Sequence, residues 1–286
     1  MIASSPLLAD ALAERGYELL DRLHQSHGFD VYDAWSLERR ARVIVKAPRA
    51  DRIDDPTLLR RLEREGRLLT RLSHPHILRG YELIPGPMPA LVTETLRGET
   101  LAHLLDRVET LTEAEAAVLG LQLSSALAYL HDQGYLHLDL KPSNIVVDGG
   151  RAIVIDLSIA QPPGRGTAGM GTWCYLAPEQ ATGGILDAAA DVWGIGVVLF
   201  EALTGRPAFD DEEEDSGVPT DEEPEVYPQL EARAPRVGTF RQVAPSLARA
   251  VDAALEPDPD RRPSIGELTA ALESVPGVGS MSGAGR

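Results

Sequence analysis

Lysine and asparagine are nearly missing from this 286-residue chain. Only two of its 27 basic residues are lysine, Lys46 and Lys141, and Asn144 is the sole asparagine. One cysteine, Cys174, permits no intrachain disulfide and no cysteine-based zinc cluster. Aromatics make up 5% of the residues, and no apolar run is long enough to span a bilayer: the best stretch, residues 192–203, is broken by Gly194 and Gly196 and ends at Leu203 after Glu201. The amino terminus lacks a basic segment ahead of its apolar residues and carries Asp10 and Glu14, which argues against a secretory signal. A cytoplasmic location is expected.

Positive charge is also short, with 44 acidic residues giving a formal net charge of -17. Neither nucleic acid nor an anionic membrane surface is expected as a partner, because both reward a Lys/Arg excess. The imbalance belongs to the second part of the chain, since residues 1–92 carry 14 bases against 13 acids. Residues 210–225 hold ten acids and no base. Like-charge repulsion should keep them extended and solvated; the other reading of the segment is recruitment of a basic protein.

What is present is ordered by periodicity. Short apolar strands at 41–46 and 90–96 flank a helix over 56–72, where Leu58, Leu62, Leu69 and Leu72 recur at helical spacing. From Thr112, which forms a capping-box pattern with Glu115, a long helix runs to a stop at Gly134. Residues 144–147 and 152–155, joined by Asp148-Gly149-Gly150, predict a hairpin. Helices are predicted over 187–203, 245–255 and 265–272. A strand-rich small lobe thus precedes a helix-rich large one.

Just before the hairpin stands HLDLKPSN (residues 137–144), and Asp156 ends its second strand. Asp139, Asn144 and Asp156 could provide a proton acceptor and oxygen ligands for a metal ion on phosphates. Each residue singly also suits a turn. A GxGxxG string at 164–169 follows Pro162-Pro163 and leads to no helix, so it lacks the setting of a dinucleotide site and is expected to be a flexible segment. No GxxxxGK[ST] occurs, which excludes a P-loop nucleotidase.

Over about residues 16–274 the chain resembles the eukaryotic-type protein kinase family in its bacterial serine/threonine branch. The resemblance rests on VIVK (43–46), the helix EREGRLLTRLSHPHIL (63–78), HLDLKPSN, DLS (156–158), GTWCYLAPE (171–179), DVWGIGVVLFEALTGRPAF and DPDRRPS (258–264). It implies a bilobal α+β fold: an N-terminal extension at 1–15, a small lobe at 16–94, a helical lobe at 95–274 with the acidic insertion at 210–225, and a flexible tail at 275–286. It also implies ATP and Mg2+ as cofactors and a protein substrate.

The resemblance carries roles residue by residue. Lys46 would hold the ATP phosphates and pair with Glu65, Asp139 would accept the proton of the substrate hydroxyl, and Lys141 would neutralise the transferring phosphate. Thr172 would contact both of these. Asn144 and Asp156 would bind magnesium. Val31 and Val146 would enclose adenine, with Thr93 at the gatekeeper position and Glu94 to Leu96 as the hinge. Glu179 with Arg262, and Asp191 beneath the catalytic loop, would be structural.

Four positions depart from the family pattern. His24, Ser26 and Phe29 stand where three glycines cover the phosphates. Ile44 replaces the alanine two residues before the lysine, Leu138 replaces the arginine beside the catalytic aspartate, and DFG is Asp156-Leu157-Ser158. Two readings remain open: an active serine/threonine kinase, and a pseudokinase that keeps the fold as a binding module.

Overall fold

The computed structural model describes residues 6–26, 28–209 and 227–278. The acidic segment 210–225 and most of the tail lie outside the described residues. The chain divides into two units, one formed by residues 1–97 with 155–159, the other by 98–154 with 160–286.

The first unit is built on a five-stranded antiparallel sheet in the order β1-β2-β3-β5-β4, with β1 Tyr17–Gln25, β2 Phe29–Ser36, β3 Ala41–Pro48, β4 Gly80–Ile84 and β5 Ala90–Glu94. Alternation along β3 sends Val43, Val45 and Ala47 to one face, where all three are fully buried with Tyr32, Ala34 and Val92. A helix that periodicity does not announce, α1 (Pro6–Ala13), covers this face with Leu8 and Leu12. Ile44 and Lys46 fall on the opposite face. Helix α2 spans Pro56–Leu69: the Asp55 side chain accepts from the amides of Thr57 and Leu58, and Pro56 fills the first turn, where its missing N–H costs nothing. It stops three residues short of the expected 72, as the Thr70 hydroxyl takes the Gly66 carbonyl at 2.6 Å.

The second unit is mainly helical. It opens with β6 (Glu99–Thr100), α3 (Leu101–Val108) and α4 (Glu113–Asp132). Thr112 and Glu115 form the expected capping box, each bonding the other's backbone amide. The hairpin β7 (Ile145–Asp148) and β8 (Arg151–Val154) turns on two residues, Gly149 and Gly150, at φ of 60° and 83°. Glycine is required there, since this tight hairpin turn places both central residues at positive φ. Next come β9 (Gly164–Arg165), α5 (Pro178–Thr182), β10 (Ile185–Leu186) and α6 (Ala188–Thr204).

Helix α6 is buried nearly all round, including Trp193, Val198 and Phe200, as a helix apolar on every face must be. Gly120 of α4 lets it approach closely: a Cβ there would stand 2.7 Å from Leu272 and 3.0 Å from Leu199. The remaining helices are α7 (Pro228–Glu231), α8 (Val237–Phe240), α9 (Pro245–Ala254) and α10 (Ile265–Glu273). The antiparallel sheet of one unit and the helices of the other give the α+β class. Among the described residues no helix is long and apolar enough to cross a membrane.

Candidate active site

In the first unit, Lys46 projects from β3 toward α2 and its ammonium meets Glu65 Oε2 at 2.8 Å and Asp156 Oδ2 at 3.3 Å. Glu65 is 1% exposed. Burial disfavours its charge most, Lys46 opposes that and Asp156 adds to it, so the carboxyl is pushed up to about 7. Burial acts on Asp156 in the same sense but loses to Lys46 and to the Ser158 amide, which donates to Oδ1 at 2.8 Å, and the group is held down to about 2. The two carboxylates raise the Lys46 ammonium against the burial that would lower it. The lysine is therefore a fixed cation flanked by an ionised Asp156.

The other expected residues of this unit stand near that group without joining it. Val31 lies opposite Lys46 in the β2–β3 register, and Thr93 opposite Ile44. Thr93 is buried, its hydroxyl 3.3 Å from the Glu94 carbonyl oxygen. Glu94 accepts from the Arg79 amide at 2.9 Å, and half-buried Leu96 follows beyond the strand's end at Glu94.

In the second unit, four expected residues converge. The Thr172 hydroxyl donates to Asp139 Oδ1 at 2.7 Å and accepts from Lys141 Nζ at 2.5 Å, while Lys141 also stands 3.4 Å from Asp139 Oδ2. Asn144 Nδ2 donates to the Asp139 carbonyl at 2.9 Å and to Oδ2 at 3.0 Å. With its nitrogen so used, the Asn144 carboxamide oxygen is the atom left for a cation. Val146 is buried on β7, apart from this group.

The loop that carries Asp139 is strained and held. Leu138 adopts φ 68°, a region non-glycine residues rarely enter. Its amide donates to Asp191 Oδ1 and the His137 amide to Oδ2, both at 2.8 Å, and its carbonyl accepts from Gln180 Nε2 at 2.8 Å. His131 Nε2 lies 2.7 Å from the same Asp191 carboxylate. Despite complete burial, these partners keep Asp191 below the usual carboxylate range. Motif spacing gives no sign of His131 or Gln180, which act through residues 60 and 42 positions away.

The segment with the GxGxxG string is tied down rather than flexible. Gly164–Arg165 pairs with Ile185–Leu186, Gly166 N bonds Gly184 O at 2.9 Å, and Gly169 N bonds Gln180 O at 3.1 Å. Gly171, at φ 139°, lets the chain pass the loop that carries Asp139, since a Cβ there would stand 3.2 Å from the Leu138 carbonyl oxygen. The expected buried pair is present: the Arg262 guanidinium meets both Glu179 oxygens at 2.6 and 2.8 Å.

Among the described residues no three His, Cys, Asp or Glu side chains cluster as a metal cage. The Asn144 carboxamide oxygen and the Asp156 carboxylate are each hard oxygen donors of the kind a divalent cation takes.

A family model described as the protein kinase domain matches residues 23–272. The chain belongs to the protein kinase domain family. It is 35% identical over 205 residues to the serine/threonine-protein kinase PknB of Mycobacterium leprae, an alignment that covers 68% of this chain and 33% of that protein. PknB of Mycobacterium tuberculosis gives 35% over 206 residues with the same coverage. The serine/threonine-protein kinase PkaA of Streptomyces coelicolor gives 34% over 243 residues, 82% of this chain and 43% of PkaA. The chain thus spans a third to under half the length of these relatives. Membership places it in a family of phosphotransferases that use ATP with a divalent metal ion.

Proposed function

We propose that this chain is a cytoplasmic serine/threonine protein kinase that transfers the ATP γ-phosphate to a protein hydroxyl, with its kinase lobes at 16–94 and 95–274. The observation that carries the reading is the convergence of Thr172, Lys141 and Asn144 on Asp139, on a loop held at φ 68°. Asp139 accepts the proton of the incoming serine or threonine hydroxyl as its oxygen attacks the γ-phosphorus and the bond to ADP breaks. Lys141 offsets the charge on the transferred group. Lys46, oriented by Glu65, holds the α- and β-phosphates. Asn144 and Asp156 would hold Mg2+, which when bound would supply positive charge to offset that of the phosphates. The preorganised cations and donors lower the barrier because they are in place before charge develops.

Val31, Val146, Thr93 and the hinge from Glu94 to Leu96 are read as the adenine surround. The protein substrate is read as basic if the acidic segment recruits it. The second reading, a pseudokinase, is favoured by the loss of three glycines that would let backbone amides reach phosphate. Transfer from γ-labelled ATP to a generic basic protein, with the modified residues identified by mass spectrometry, separates the two. Phosphoserine or phosphothreonine made by the wild type supports the kinase; a thermal shift with Mg2+ and ATP but no transfer leaves the pseudokinase.

A further inference from the structure

We propose that Phe29 is a gate on the Lys46 ammonium, which the phosphates of a nucleotide must displace. The inference rests on the reading of Lys46 as the phosphate contact. An ammonium has three N–H bonds. Glu65 and Asp156 take two, at 2.8 and 3.3 Å, and the Phe29 ring is the third neighbour, its centroid 5.0 Å from Nζ. The electron-rich face of an aromatic ring attracts a cation, the more so where water is kept out, and the Lys46 side chain is only 17% exposed.

The ring does not ride on a loose loop. Phe29 opens β2 opposite Pro48, its amide donates to Ser26 Oγ at 3.0 Å, and its carbonyl accepts from the Ser26 amide at 2.8 Å. The Gly28 carbonyl accepts from the Arg49 amide at 3.0 Å. Gly28 is seated on the first turn of α2, where a Cβ would stand 2.7 Å from Leu58 Cδ2. These contacts set the ring against the ammonium from the β2 side.

A phosphate oxygen must come within about 2.8 Å of Nζ to make a charge-assisted hydrogen bond. It cannot do so on the side the ring covers. Glycine at this position would leave the ammonium open, so phenylalanine sets a cost that falls on the phosphates and not on the nucleoside.

The test is calorimetric titration of the full chain with adenosine, ADP and ATP, each with Mg2+, for wild type, Phe29→Leu and Phe29→Ala. Leucine keeps apolar bulk without the π face, and thermal midpoints taken beside the titrations show that each variant is folded. Both variants should bind ADP and ATP about five- to tenfold more tightly, the loss of one such cation contact, with adenosine affinity unchanged. If wild type binds ATP and the folded leucine variant binds it no better, the gate is wrong while the nucleotide site stands. If adenosine gains as much as ADP, the ring obstructs the whole pocket and the gate on Lys46 is equally wrong. If no protein binds any of the three, the nucleotide reading fails and the gate with it.

Discussion

Glu65 and Asp156 compete for the single ammonium of Lys46, and their carboxyls move in opposite directions. Glu65 rises from 4.5 to about 7, so its contribution to stability is complete below about pH 4.5 and is lost as pH climbs through 7. Asp156 falls from 3.8 to about 2, so its contribution is present above about pH 3.8 and is lost as pH drops through 2. Glu65→Gln removes the first dependence and keeps the second. Urea unfolding at pH 5 and pH 8 should therefore show wild type losing about 1–3 kcal/mol relative to the variant on going to the higher pH. Parallel profiles would show that Glu65 ionises freely in the fold. The lysines themselves are legible from composition: in a chain that otherwise uses arginine, the two retained ones are Lys46 and Lys141, where a planar guanidinium would not replace a compact ammonium. His131, Gln180 and the Phe29 ring on Lys46 are not legible, because each acts across the fold rather than along a motif.

The segment from Gln161 to Gly171 is fixed by backbone pairing, not by a charge. Gly164–Arg165 pairs with β10, Gly166 and Gly169 bond Gly184 and Gln180, and the position beside Asp139 holds Leu138, 5% exposed, with no cation for a phosphate to dock on. Thr167 is exposed on this segment. Thr167→Ala should keep transfer activity within about threefold of wild type, on the view that no phosphate-dependent switch of the ordinary kind operates here. A dead Thr167→Ala variant rescued by Thr167→Glu would contradict it. Helices announced by strong signals are legible: leucine spacing marks α2, and Thr112 with Glu115 starts α4. The eight residues of α1 are not, because Leu8 and Leu12 become a stripe only once the sheet face they cover exists. Nor is β9 legible, since its two residues are strand only through their partners Ile185 and Leu186.

Across the chain as a whole, the two units are held by separate devices. The first rests on the sheet face filled by Val43, Val45, Tyr32 and α1. The second depends on Arg262, whose side chain is 0% exposed and bonds Glu179 and the carbonyls of Glu256, Pro257 and Ala189. Removing one partner of a buried pair leaves the other charge uncompensated, so Arg262→Met should destabilise the protein by about 3–5 kcal/mol in urea unfolding. The α+β class and the family are legible because strand-rich and helix-rich stretches follow one another and the motifs of the resemblance recur in a fixed order. The φ 68° backbone at Leu138 is not, since nothing in a leucine announces it.

If Asp139 acts chemically, its carboxylate sets the rate of phosphate transfer to protein serine and threonine at saturating Mg2+ and ATP. Wild type and Asp139→Asn are compared, with thermal midpoints measured alongside. A general base contributes about a hundredfold or more, so the variant should lose at least about 100-fold in rate while remaining folded. Equal rates from two folded proteins would contradict the account.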